Sequence, residues 1–134
     1  MAQSNKGSKS PRIRVIQKLY GFLMNPDDPI EYTKSQFKKF IKDVVQGTLE
    51  RKELIEEILI KHLKNDIDFK KTDKILKIII FAATFEFMYK LNNPKKVIIS
   101  EYLKAAEFFL ERKQISYLNA ILDNLSKKIR YETN

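Results

Sequence analysis

One stretch constrains the fold of this chain more than any other, the segment 75–91, which reads ILKIIIFAATFEFMYKL. Between residues 78 and 88 the only charged residue is Glu86, and apolar residues fall on every side of a helical wheel. A helix that is apolar all round has to be surrounded by other elements. The uncharged run is shorter than the ~20 residues of a membrane span. Its β-branched residues would also suit a buried strand, but its length favours a helix. The segment therefore predicts a buried central helix in an all-α protein.

Shorter amphipathic segments flank this helix and predict the elements that cover it. Their apolar residues recur at the i, i+3, i+4 spacing of helices. These segments lie at residues 10–25, 37–47, 54–63, 97–110 and 115–125. A chain of 134 residues, of which 43% are hydrophobic, is long enough for one core. We expect a single all-helical domain at residues 10–134, preceded by a flexible basic arm at residues 1–9.

An enzyme is not expected, because the side chains of common catalytic and metal sites are scarce. The sequence has no cysteine, and its single histidine, His62, stands in a helical segment beside Lys61. No nucleophile–base pair or metal-ligand cluster is apparent. Three glycines are too few and too scattered for a phosphate-binding loop. We expect no cofactor and no metal, and we expect Glu86 to pair with another helix rather than to act in catalysis.

The charge of the chain points to a polyanionic partner. The formal net charge is +9, which favours nucleic acid or an anionic membrane face. The cations Lys6, Lys9, Arg12, Arg14 and Lys18 all precede the first acidic residue, Asp27. An unbalanced cationic arm that leads into a helix is typical of RNA-binding proteins. A solvated tail and helix face would give the same pattern.

A series of short motifs follows one another at a characteristic spacing. Phe85-Glu86-Phe87 ends the central helix, Pro94 follows, and residues 97–101 read VIISE. Residues 15–20 read VIQKLY and residues 116–123 read SYLNAILD. In order and spacing, these motifs resemble those of the bacterial transcription antitermination factor NusB family, and the resemblance covers almost all of residues 10–130. Gly47 also stands where that family has a glycine.

The chain departs from the family pattern at several positions. It has Ser100 for an asparagine, Ala120 for a glycine and Phe81 for an arginine. The Asp-Arg pair that opens the family's central helix aligns without gaps on Leu76-Lys77, or with a three-residue insertion on Asp73-Lys74. In the family this end of the helix contributes to partner binding.

The resemblance implies a fold of two small helical bundles packed around a central helix. It implies a cytoplasmic factor that binds the boxA-like single-stranded RNA of ribosomal RNA leader transcripts within the transcription elongation complex. The RNA would be bound jointly with the small-subunit ribosomal protein that acts as NusE. A homodimer is left open.

Side chains for such binding can be named from the sequence. Expected RNA contacts are Lys9, Arg12, Arg14 and Gln17 near the start, Tyr20 and Tyr117 as stacking residues, and Asn119 at a base or sugar edge. Tyr20 would equally suit the core, and Asn119 could instead bond the backbone of a neighbouring helix. Structural roles are expected for Gly47, Glu86 and Pro94.

Two other functions remain open at this point. A related helical domain is an RNA-targeting appendage of ribosomal RNA methyltransferases, so the chain could be a stand-alone RNA-binding or protein-interaction module. A basic membrane-surface module is the other alternative. Vesicle binding that persists in competing RNA would favour the membrane function.

Overall fold

The computed structural model describes residues 10–63, 68 and 71–130. Within these residues the structure consists of six helices and no strand, which confirms the all-α prediction. The helices are α1 Pro11–Met24, α2 Lys38–Glu50, α3 Lys52–Leu63, α4 Lys74–Tyr89, α5 Lys95–Ala106 and α6 Arg112–Ile129. The arm expected at residues 1–9, with Lys9, lies outside the described residues.

Helix α4 is the centre of the fold. Every residue from Ile78 to Phe87 is buried, and α4 contacts each of the other five described helices. Helices α1, α2 and α3 pack with α4 as one bundle, and α5 and α6 pack with it as a second. Helix α1 also contacts α5, so the two bundles meet beside the central helix.

Local sequence signals set where the helices begin. Ser10 is the N-cap of α1 and Pro11 its first residue, where the missing N–H of proline has no helical partner to lose. The Asp73 carboxylate accepts hydrogen bonds from the backbone N–H groups of Ile75 and Leu76, at 2.9 and 3.2 Å. These bonds satisfy donors that a helix start leaves unpaired. Asp73 is thus the N-cap of the central helix.

The C-terminal end of α4 is held by Arg130, which follows the last residue of α6. Its guanidinium donates to the backbone oxygens of Phe87, Glu86 and Lys90, at 2.8, 3.0 and 2.8 Å, and to that of Asn93. Arg130 is 5% exposed. The oxygens of Glu86 and Lys90 also accept the backbone N–H groups of Lys90 and Asn93, at 2.9 and 3.0 Å, so the guanidinium is a second donor to these two and the donor that satisfies the Phe87 oxygen at the helix end.

The chain then turns at Pro94 to begin α5. Pro94 is the N-cap of that helix, and its carbonyl accepts hydrogen bonds from the N–H groups of Val97 and Ile98, at 3.0 and 3.1 Å. The backbone bonds thus continue from the end of α4, through the turn, into the first turn of α5.

Gly47 allows α2 to approach α4 closely. A Cβ atom at this position would overlap the Phe85 ring, which is 5% exposed. The same ring lies 5.1 Å from the Tyr89 ring, between centroids, and the Arg51 guanidinium lies 4.5 Å from the centroid of Tyr89. The Phe85 ring is therefore confined, and a side chain at residue 47 would have to displace it.

We expect the substitution Gly47→Ala to lower the free energy of unfolding by about 1–3 kcal/mol, because overpacking against Phe85 outweighs the gain in helix propensity. Denaturant titration measures this loss. In the background Phe85→Leu, which removes the ring, the further loss from Gly47→Ala should be smaller. Equal losses in both backgrounds would show that the ring does not limit residue 47.

Candidate nucleic-acid interface

The buried face of α1 carries one charge, the guanidinium of Arg12. Its Nε donates to Glu86 Oε2 at 3.0 Å, and its Nη2 donates to Glu86 Oε1 at 2.6 Å. Arg12 is 6% exposed and Glu86 is fully buried. The guanidinium also lies 4.9 Å from the ring centroid of Phe40 and 5.4 Å from that of Tyr102. Glu86 therefore pairs with another helix, as a bidentate partner of Arg12.

Burial and pairing set the charge states in this cluster. Burial acts to lower the pKa of Arg12, but the hydrogen bonds and charge of Glu86 outweigh it, so the pKa lies above its ordinary value. Burial, and next the charge of Glu86, raise the pKa of Tyr102 well above its ordinary value. Arg12 therefore remains a cation and Tyr102 a neutral phenol near neutral pH.

This position corrects the expectation that Arg12 contacts RNA phosphate. The Nε and Nη2 groups of the guanidinium both donate to Glu86, and the Arg12 side chain has almost no exposed surface. A signal in the sequence could have predicted this burial. Arg12 precedes Ile16 by four residues and Leu19 by seven, so it lies on the apolar stripe of α1.

The outer face of α1 carries the other candidates on this helix. Gln17 is exposed, Tyr20 is 38% exposed, and Arg14 is half-buried. Tyr20 is thus not enclosed in the core, and part of its surface can be reached from solvent. A cation, an amide and an aromatic side chain therefore share one helix with the paired Arg12.

The remaining candidates lie on α6. Tyr117 is 41% exposed, and Asn119 is exposed, with a side chain that makes no hydrogen bond within the described residues. Asn119 lines an open groove of about 390 Å³ between α5 and α6, together with Lys96 and Lys104. Helix α5 contacts both α1 and α6, so the structure places it between the two groups of candidates.

Two features of the described residues bear on other functions. No group of three or more His, Cys, Asp or Glu side chains is arranged to hold a metal ion. None of the described helices is long and apolar enough to cross a membrane.

Arg130 has a structural role that the sequence did not reveal. With Lys127 and Lys128 it forms a basic end to α6, which suggests a surface cluster. The structure instead buries Arg130 against backbone carbonyls of α4 and its following turn. No short motif predicts this capping, because its partners lie about forty residues earlier in the chain.

Comparison with known proteins agrees with this architecture. The sequence model described as the NusB family matches residues 10–127. The chain belongs to the NusB family. This confirms the resemblance found in the sequence motifs.

The individual matches are distant. The transcription antitermination protein NusB of Nitrobacter hamburgensis is 28% identical over 91 residues, covering 68% of this chain and 57% of that protein. The transcription antitermination protein NusB of Bartonella tribocorum is 28% identical over 103 residues, covering 77% of this chain and 65% of that protein. The chain thus matches less than two thirds of the length of these relatives. A solved NusB structure from T. maritima is 18% identical and matches with a TM-score of 0.76, covering 89% of this chain and 91% of that one. This match supports the NusB-like fold.

We expect Arg12→Met to lower the free energy of unfolding by about 3–5 kcal/mol, because it leaves the Glu86 carboxylate buried and unpaired. The double variant Arg12→Met, Glu86→Leu should recover much of this loss, since it removes both charges and keeps apolar volume. Chemical denaturation of the single and double variants measures both effects.

The matched control is Arg14→Met on the outer face of the same helix, which should cost less than ~1 kcal/mol. A loss at Arg12 as small as the loss at Arg14, or a double variant no more stable than Arg12→Met, would contradict a buried ion pair.

Proposed function

We propose that this protein is a non-enzymatic transcription antitermination factor that binds boxA-like single-stranded RNA of ribosomal RNA leader transcripts. It would act in the cytoplasm within the transcription elongation complex, jointly with the small-subunit ribosomal protein that serves as NusE. Membership of the NusB family, and similarity to proteins named transcription antitermination protein NusB, support this proposal. The observation that carries it furthest is the outer face of α1, where half-buried Arg14 lies with exposed Gln17 and Tyr20, on a helix that Arg12 anchors in the core.

The mechanism we propose combines electrostatic capture with recognition of single-stranded bases. Arg14 and the arm that includes Lys9 would bind phosphates. Tyr20 and Tyr117 would stack on bases, which single strands leave accessible. Gln17 and Asn119 carry amides that can donate to and accept from base or sugar edges.

Arg12 has a different part in this mechanism. It would orient α1 through Glu86 rather than touch RNA, so that the outer face of the helix is presented in one position. An α1 that is fixed before binding loses less conformational entropy when RNA is bound.

Binding of the ribosomal protein is the second half of the proposal. The positions where the chain departs from the family pattern differ in how accessible they are to such a partner. Leu76 and Phe81 are buried, at 4% and 6% exposure, whereas Ser100 and Ala120 are exposed. Because Asp73 caps α4, the acidic residue at this end of the helix lies one turn before Leu76, its position in the ungapped alignment.

If the ribosomal protein binds, adding it at a saturating concentration should tighten RNA binding by this protein. An RNA affinity that is the same with and without the ribosomal protein would leave a protein that binds RNA alone.

A salt titration on a boxA-like strand and a scrambled strand tests the proposed RNA contacts. Replacing Lys9 and Arg14 by Ala should flatten the slope of log affinity against log salt by about 1–1.5 units, at ~0.7 per single-strand phosphate contact. Tyr117→Ala should leave the slope unchanged and remove ~1–3 kcal/mol of binding energy.

The control for charge alone is the pair Lys52→Ala, Lys61→Ala, two exposed lysines of α3. It should change the slope less than the Lys9 and Arg14 variant does. Equal effects of the two charge variants would mean that net charge, rather than the face of α1, attracts RNA. No measurable binding to either strand by the wild-type protein would overturn the proposed function.

A further inference from the structure

Two lysines from different helices meet at one aromatic ring beside α1. The Nζ of Lys18, on α1, lies 5.3 Å from the ring centroid of Tyr32, and the Nζ of Lys42, on α2, lies 6.0 Å from it. Lys18 also donates a hydrogen bond to the backbone oxygen of Glu31. The Tyr32 hydroxyl accepts a hydrogen bond from Gln46 Nε2 at 2.8 Å. Gln46 of α2 therefore positions the Tyr32 ring, and the ring in turn attracts both ammonium groups.

The cation–π contacts organise these lysines. An ammonium group within about 6 Å of an aromatic centroid is attracted by the negative face of the ring. Lysine side chains otherwise have high rotamer entropy, which a ligand must overcome when it orders them. Two ammonium groups restrained at one ring form a local concentration of positive charge that an anion would neutralise.

The charge on α2 is divided between two sides of the helix. Lys39 Nζ pairs with Asp43 Oδ2 at 3.0 Å, and Lys90 of the loop after α4 reaches the same carboxylate at 3.2 Å. Lys38 and Lys42, one turn apart, form no ion pair within the described residues. Within the described residues, the Lys38 and Lys42 side therefore keeps both of its charges uncompensated, whereas Asp43 neutralises one of the two charges of Lys39 and Lys90.

This uncompensated charge continues from the face of α1 proposed to bind RNA. Lys18 lies one helical turn after Arg14, and the Tyr32 ring connects Lys18 to Lys42. Phe37, at the N-cap of α2 and 38% exposed, adds an aromatic surface next to Lys38. Alternating cations and aromatic rings are the pattern on which single-stranded nucleic acids bind.

We propose that Lys18, Tyr32, Lys38 and Lys42, here called the Tyr32 strip, bind RNA that continues beyond the segment held by α1. The lysines would contact phosphates, Tyr32 would position Lys18 and Lys42, and Phe37 would stack on a base. This inference rests on the proposed function and extends its RNA site from α1 onto α2.

The test compares a short boxA-like strand with the same strand extended on both sides by unstructured nucleotides. For the wild-type protein, we expect the extended strand to bind more tightly and with a steeper salt slope. Lys38→Ala, Lys42→Ala should remove about 1–1.5 units of that additional slope, at ~0.7 per phosphate contact, and leave binding of the short strand unchanged.

This experiment distinguishes failure of the Tyr32 strip from failure of the proposed function. A wild-type protein that binds the short strand but gains nothing from the extension, or a double variant that keeps the full gain, would overturn the Tyr32 strip alone. A wild-type protein that binds neither strand would overturn both proposals.

Single variants separate the roles of these residues. Lys39→Ala removes one charge of the same sign from the same helix, whereas Lys38→Ala, Lys42→Ala removes two. Because Lys39 is paired with Asp43, this control should keep most of the gain. Tyr32→Phe keeps the ring and should keep the gain, whereas Tyr32→Leu removes the cation–π contacts and should reduce the additional slope. Circular dichroism melting verifies that each variant is folded. Equal slopes for the Phe and Leu variants would contradict a positioning role for the ring.

Vesicles of phosphatidylserine and phosphatidylcholine test the competing polyanion, a membrane surface. The wild-type protein and the Lys38→Ala, Lys42→Ala variant should differ on the extended RNA and not on vesicles. Loss of vesicle binding in the variant, with the RNA gain intact, would overturn the proposal in favour of a membrane face.

Discussion

The ion pair between Arg12 and Glu86 is the interaction on which the rest of the structure depends. A buried charge is costly unless a partner and further hydrogen bonds satisfy it. Here the side chain of Glu86 binds Arg12 of α1, and its backbone oxygen binds Arg130 at the end of α6. One residue near the end of the central helix therefore connects the first and the last helix of the fold. Loss of Arg12 would remove the cation that pairs with the buried Glu86 carboxylate, which Asn93 Nδ2 also contacts at 3.5 Å, and loss of Arg130 would remove the donor to the buried backbone oxygen of Phe87.

Much of the architecture could be predicted from local patterns. The apolar segment around residues 78–88 required a helix surrounded by others, and Asp73 marked its beginning. The roles of Arg12 and Arg130 were harder to predict, because a cation in sequence is most often a surface residue. Their partners lie 74 and about 40 residues away, and no local rule identifies such pairs. The apolar stripe of α1 contained a clue for Arg12, whereas nothing near Arg130 distinguished it from Lys127 and Lys128.

Burial and pairing also change how the net charge of +9 should be interpreted. Arg12 and Arg130 are inside the protein, and Lys39 and Lys90 share the carboxylate of Asp43. Hydrogen bonds from these lysines hold the pKa of Asp43 below its ordinary value despite the opposing effect of partial burial, so it remains their counter-ion at neutral pH. Burial and pairing therefore reduce the charge that these four residues offer to a polyanion. The position of each cation, and not only the net charge, determines what a polyanion meets at the surface.

In the proposed mode of binding, RNA lies along the outer face of α1, which Glu86 holds in place through Arg12. The most direct test is the change in backbone amide NMR shifts of the labelled protein as a boxA-like strand is added. We expect the largest changes on α1 between Arg14 and Gly21, with further changes around Tyr117 and Asn119, and little change on α3. Shifts that are largest on α3, with α1 unaffected, would contradict it.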